Sequence, residues 1–188
     1  MSASAVPMLH HAYGSDPERR YRDWLADRAS HAERIVEVGV LSGRTTKRMA
    51  KATRGTIWAV DHWRGVPDDP IQAPIYPRID RTEARFRRRL APWIKSGRVL
   101  VLRMGSESAA ALLLATHGRV FDLVFLDADH RYEAVHADIL AWLPLVRPGG
   151  ILSGHDLNWP GVRRAVEELL PGYRDAAGGF CWWTEVAE

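Results

Sequence analysis

RIVEVGVLSGRTTKRMAKATRGTIWAVD, residues 34–61, holds two apolar runs separated by a polar stretch. RIVEVGV (34–40) and TIWAVD (56–61) are rich in valine and isoleucine, and each is followed by a turn signal, so both read as strands. LSGRTTKRMAKAT between them reads as a turn and a helix. Strand, helix and strand in one short segment make a βαβ unit, whose strands must run parallel.

The alternation continues on both sides. RVLVLRM (98–104), FDLVFLD (121–127) and GILSGHD (150–156) read as three more strands, with helices expected over 80–90, 107–116, 131–143 and 162–170. DPERRYRDWLADRAS (16–30) opens on an Asp-Pro cap and sets Tyr21, Trp24, Leu25 and Arg28 at helical spacing. YRDAA, a Gly-Gly and FCWWTEVA read as a closing hairpin. The expected fold is therefore α/β: a three-layer sandwich with a Rossmann-like, seven-stranded, mostly parallel sheet and a C-terminal antiparallel hairpin, forming a single domain over 1–188. Residues 1–15 read as a loose arm. Residues 64–78, with Pro67, Pro70, Pro74 and Pro77, read as a proline-rich loop able to serve as a lid.

Composition narrows the function classes. With 46% apolar and 26% charged residues in 188, the chain suits a soluble globular domain. It has no run of about 18 apolar residues and no apolar leader core in its first 30, so a cytoplasmic location without a membrane partner is expected. Cys181 is the only cysteine, which excludes an internal disulfide and a cysteine-rich zinc site; it reads as a buried strand residue. The net charge of +3, from an arginine-dominated set of cations, can help attract an anion but is too small to make nucleic acid the partner. A homo-oligomer stays open. Most of the eight tryptophans read as core.

In open parallel sheets, ligands bind beyond the carboxyl ends of the strands where strand order reverses. The first strand ends in EVGVLSGRT, which puts Glu37, Gly39 and Gly43 at that place. G-V-L-S-G lacks the third glycine of a dinucleotide fingerprint, so close backbone approach to a pyrophosphate is not provided for. Asp61, at the end of the second strand, is placed to accept hydrogen bonds from ribose hydroxyls. An adenosine-type ligand without a pyrophosphate fits these residues.

EVGVLSGRT, AVDHW, FDLVFLDADHRY and RPGGILSGHD, in this order across roughly Arg34 to Glu168, resemble the motif series of class I S-adenosylmethionine-dependent methyltransferases. The resemblance implies that Glu37 holds the methionine amino group, Gly39 makes room for the cofactor and Asp61 grips the ribose. It sets Ser42 and Thr45 as lining residues, with helix capping as their alternative. Ser106, with Glu107 beyond it, falls where relatives contact the adenine amino group. His62 and Trp63 fall where a flat side chain covers the adenine face, with packing against the proline-rich loop as the alternative.

Asp127 ends the fourth strand and His155-Asp156 ends the fifth, so their side chains can converge beside the cofactor. Two carboxylates and an imidazole around one point suit a divalent cation, magnesium first, with manganese or another first-row metal open because of the histidine. In the alternative, Asp127 supports only the cofactor while His155 and Asp156 cap the next loop. The region is most similar to metal-dependent O-methyltransferases acting on hydroxyls of sugars and other natural products. That resemblance makes Asp127, His155 and Asp156 metal ligands and His130 the base, although relatives commonly carry an acid where this chain has His155. Asp129 is expected as a helix N-cap and Tyr132 as a packing residue, while His136 carries no expected chemistry. Trp63, Trp159 and the 64–78 loop are candidates to shape the acceptor pocket.

Three other readings compete. RFRRR in a helix favours a nucleic-acid methyltransferase, but LDADH is unlike the Asp/Asn-Pro-Pro-aromatic run of amino-group nucleic-acid methylases. A metal-independent small-molecule methyltransferase needs no convergent acids. A cofactor-sensing module without catalysis would need neither those acids nor His130.

Overall fold

The computed structural model describes residues 17–65, 79–176 and 178–187. The expected arm over 1–15 and nearly all of the proline-rich loop lie outside them. The described chain runs α1 (Pro17–Ser30), β1 (Arg34–Val38), α2 (Arg44–Ala52), β2 (Thr56–Val60), α3 (Ile79–Lys95), β3 (Val99–Leu102), α4 (Ser106–His117), β4 (Phe121–Leu126), α5 (Tyr132–Trp142), β5 (Val146–Gly154), α6 (Pro160–Leu169), β6 (Arg174–Ala176) and β7 (Cys181–Glu185). The seven strands form one sheet in the order β3-β2-β1-β4-β5-β7-β6. β1 to β5 pair in parallel, and β7 inserts antiparallel between β5 and β6.

The central strands are buried on both faces, which is why they read as continuous apolar runs. Val36, Val38, Val60, Val124 and Leu126 face α4, α5 and α6 in one core, while Ile35, Ile57, Ala59, Leu123 and Phe125 face α1, α2 and α3 in the other. Five tryptophans, 24, 58, 63, 142 and 182, are buried, and Cys181 is fully buried in β7. None of the described helices is long and apolar enough to cross a membrane.

Two elements differ from the sequence reading. α3 runs to Lys95 and through Pro92, where an interior proline normally ends a helix. Trp93 and Ile94 pack against the second core there, so tertiary burial overrides the local signal. β5 begins at Val146, because Arg147 to Gly150 stay in the strand across a register irregularity opposite Phe121 and Leu123. Gly150 permits this: a Cβ there would stand 2.9 Å from the Phe121 carbonyl oxygen.

Candidate active site

β1 lies between β2 and β4, and the chain reverses its winding there, so the loops after β1, β2, β4 and β5 open onto one crevice. Among the described residues, the non-glycine residues with positive φ are Leu41 (46°), Trp63 (48°) and Asp156 (59°), all in these loops. Such conformations cost of order 1–3 kcal/mol each and gather at functional sites. Gly39 has φ 86°, and a Cβ on it would fall 2.0 Å from the Asp127 carbonyl oxygen. The β1 and β4 loops therefore meet backbone to backbone, and only glycine permits it.

The crevice is a cavity of about 700 Å³, within the usual range for small-molecule sites. Gly39, Asp61, His62, Ser106, Asp127, His130, His155 and Asp156 line it, as do Tyr21, Met104, Glu107, Asp129, Ala134 and Asp138. Among the described residues, its wall holds six carboxylates, from Asp61, Glu107, Asp127, Asp129, Asp138 and Asp156, and no lysine or arginine. In a chain of net charge +3, that concentration of acid marks a place for a cationic ligand.

Asp61 is braced by the loops it joins. Its Oδ2 accepts the Leu41 N–H at 2.9 Å and its Oδ1 the Trp63 N–H at 2.7 Å. A carboxylate has about four acceptor positions, so capacity for hydroxyl donors remains. Burial raises its pKa, against those two backbone hydrogen bonds. Trp63 turns away from the cavity: its Nε1 donates to the Leu41 carbonyl at 2.8 Å and its ring packs on Phe86. It locks the β1 and β2 loops together.

Glu37 lies beneath the cavity wall, 1% exposed, with Oε2 lacking a hydrogen-bond partner among the described residues. Burial pushes its pKa up to about 8, with Asp127 and Asp61 adding repulsion and Thr46 opposing. Ser42 and Thr45 do not line the cavity. Ser42 receives Arg89 on its carbonyl and hydroxyl, and Thr45 stands 3.4 Å from the Tyr21 hydroxyl. Neither caps α2, whose N-cap is Gly43.

The histidines and acids converge at the ends of β4 and β5. His130 Nε2 lies 2.8 Å and His155 Nδ1 3.0 Å from the same oxygen, Asp156 Oδ2, and His155 Nδ1 lies 3.6 Å from Asp127 Oδ1. Burial works to raise the Asp156 pKa, but the hydrogen bonds and charge of His130 and His155 hold it well below the usual carboxylate range. Asp127, His130 and Asp156 each offer a donor atom within 4.8 Å of the others, a carboxylate–imidazole set of the kind that holds divalent first-row metals or magnesium. Tyr21 tilts over His155 at 4.2 Å, and Trp159 stands 5.7 Å from His130.

Asp129 is not the N-cap of α5; that position is Arg131, without a side-chain cap. Asp129 instead accepts the Arg131 N–H at 2.9 Å and pairs with its guanidinium, which holds its pKa low despite burial. Tyr132 donates to Glu168 at 2.7 Å on the outer surface. Tyr21 and Asp138 are among the lining residues that the sequence reading did not place at the site. Asp138 had a legible signal, since Val135, Ile139 and Trp142 place it on the buried stripe of α5.

A family profile described as "Methyltransferase domain" matches residues 36–157. No curated protein matches the chain. Solved structures with the same fold include an O-methyltransferase from Bacillus cereus in complex with SAH (TM-score 0.64, 16% identity, 93% of this chain and 83% of that one). The O-methyltransferase NovP is similar at TM-score 0.68 and 15% identity, over 90% of this chain and 80% of that one. An rRNA methylase from Streptococcus thermophilus aligns at TM-score 0.63 and 14% identity, over 97% of this chain and 100% of that one. At these identities the likeness establishes the fold alone.

Proposed function

The chain belongs to the methyltransferase-domain family, and we propose that it is an S-adenosylmethionine-dependent O-methyltransferase that acts, with a divalent cation, on a hydroxyl of a small acceptor such as a sugar or another polyol natural product. The observation that carries this reading is the acid-walled cavity of a basic chain, with six carboxylates and, among the described residues, no cationic side chain but histidine. A sulfonium, an ammonium and a divalent cation are each stabilised there, whereas a polyphosphate or nucleic-acid backbone is repelled.

Each residue has a task in this reading. Gly39 leaves the β1 loop low enough for the cofactor to pass over it. Asp61 takes the ribose hydroxyls with the lone pairs its two backbone donors leave free. Glu37, otherwise a costly buried acid, gains a partner in the methionine ammonium. Asp127, His155 and Asp156 hold the cation. His130 accepts the acceptor's proton in this reading, which is supported by its position beside Asp156 and Trp159. When bound, the cofactor supplies a methyl group activated on sulfur and the cation acidifies the acceptor hydroxyl. The chain's own share is alignment, exclusion of water and the proton's destination.

A second reading of His130 has its own observation, the 4.8 Å donor set with Asp127 and Asp156. There His130 is a cation ligand and solvent is the base. His130→Ala and His155→Ala separate the two by manganese titration and single-turnover methyl transfer. The base reading expects His130→Ala to keep cation affinity and to slow transfer by roughly a hundredfold to ten-thousandfold, while His155→Ala loses cation affinity. Lost cation affinity in His130→Ala would establish the second reading. Full transfer after rigorous chelation would remove the cation from the mechanism.

A further inference from the structure

Arg85, Arg88 and Arg89 stand at helical spacing beside the buried stripe Thr82, Phe86 and Leu90 of α3, so their side chains share a face. Arg44 joins them from α2. A Cβ on Gly43, the residue before it, would stand 2.6 Å from side-chain carbons of both Phe86 and Leu90, so the first turn of α2 seats on that stripe. Burial lowers the pKa of Arg89, and repulsion from Arg44, Arg85 and Arg88 lowers it further. Among the described residues, no acid pairs with any of the four. Glu83 of α3 is taken up by Arg87 and Arg103, and Asp23 of α1 by Arg19 and Arg48. α2 begins without an acid in its first turn, so the positive end of its dipole adds to the same charge. An anion from outside the chain would offset that repulsion.

Arg89 ties this basic shelf to the rim of the cavity. Its Nη1 donates to the Ser42 carbonyl and, at 2.9 Å, to the Ser42 hydroxyl, and Leu41, the residue before Ser42, lines the cavity. The charge therefore changes sign across one residue of the β1 loop, from the carboxylates of the wall to the guanidiniums outside it. Arg44, Arg85 and Arg88 are exposed and open to a ligand. An anion is repelled by the wall and held on the shelf, while a neutral hydroxyl passes the rim. The shelf is little more than one helical turn of α3, about 5 Å, with the start of α2 beside it. That footprint suits one or two phosphates and not a nucleic-acid strand. Guanidiniums grip phosphate oxygens through paired N–H groups, and a phosphate monoester carries close to two negative charges where a carboxylate carries one. Resting on the reading of the crevice as the site of methyl transfer, we propose that Arg44, Arg85, Arg88 and Arg89 form an anion site that holds a phosphoryl group of the acceptor at the rim while its hydroxyl enters the cavity. The acceptor is then a sugar or polyol in phosphorylated or diphosphate-linked form, oriented by its two ends.

The test is calorimetry on the full, metal-free chain in phosphate-free buffer, with inorganic pyrophosphate and UDP-glucose as probes and glucose as the uncharged control. Both anions should bind at one site per chain, and glucose should not. Arg85→Gln/Arg88→Gln, at two exposed positions, should weaken both about tenfold to a hundredfold, the scale of hydrogen bonds to a charged group. Arg44→Gln is a second, independent variant should the first fail to fold. Arg54→Gln/Arg163→Gln removes the same charge away from the shelf and should leave both affinities within about threefold, because distant exposed charges are screened. S-adenosyl-L-homocysteine should bind equally well with and without pyrophosphate. No anion binding by wild type, equal affinity in a folded shelf variant, or competition with S-adenosyl-L-homocysteine overturns the site. Pyrophosphate binding without UDP-glucose binding, or tighter binding of a single-stranded uridine oligonucleotide that the shelf variant loses, overturns the acceptor as its occupant. Anion binding in a chain that takes no S-adenosyl-L-homocysteine would instead defeat the methyl-transfer reading and keep the anion site.

Discussion

Glu37→Gln should stabilise the ligand-free protein and weaken its hold on the cofactor. The carboxyl is 1% exposed and its pKa is pushed up to about 8 from an ordinary 4.5, mainly by burial. Between those values the folded chain holds a proton that the unfolded chain has lost. The group's contribution to stability is thus fully present below pH 4.5 and disappears as pH rises through 8. At about 1.36 kcal/mol per pH unit, the difference between 4.5 and about 8 amounts to about 3 kcal/mol at pH 7 and approaches roughly 5 kcal/mol above pH 9. Glutamine keeps the shape without the charge, so its gain over wild type should be near zero at acid pH and grow across this window. Urea unfolding of both proteins from pH 5 to 9 measures it. Calorimetry at pH 7 in buffers of differing protonation enthalpy adds a functional readout, because an arriving ammonium ionises Glu37. Wild type should release close to one proton per S-adenosylhomocysteine, and Glu37→Gln none. A stability difference that stays constant with pH would refute the reasoning.

Other substitutions test the scaffold. Gly39→Ala combines a left-handed φ with a Cβ placed 2.0 Å from the Asp127 carbonyl oxygen. It should lose about 3 kcal/mol of stability or more in urea unfolding, along with cofactor binding. Trp63→Phe removes the 2.8 Å hydrogen bond to Leu41 and should lose about 1–2 kcal/mol. Its cofactor affinity should fall as well, through the slackened loop that orients Asp61, and unchanged affinity would limit Trp63 to packing.

Much of this was legible because the central strands are buried on both faces and end at residues that do not belong in a core. Val36, Val38, Val124 and Leu126 announce strands, and Asp61, Asp127 and Asp156 mark the ends of three of them. What the sequence hid depends on backbone and packing. Trp63 lies two residues after Asp61, yet a φ of 48° sends its ring into the core. The helix expected over 80–90 runs on through Pro92 to Lys95, because the burial of Trp93 and Ile94 is invisible without the sheet beneath them. Asp129 looked like a cap, but Arg131, two residues on, outcompetes the helix end for its carboxylate.

The central claim is that the acid-walled cavity holds S-adenosylmethionine through Asp61 at the ribose. Titrating S-adenosyl-L-homocysteine into wild type and Asp61→Ala tests it most directly. Saturable binding at one site per chain is expected, weakened in the variant by about 1–3 kcal/mol, the scale for unpairing buried hydrogen-bonding groups. No binding to wild type, or equal affinity in a folded Asp61→Ala, would contradict it.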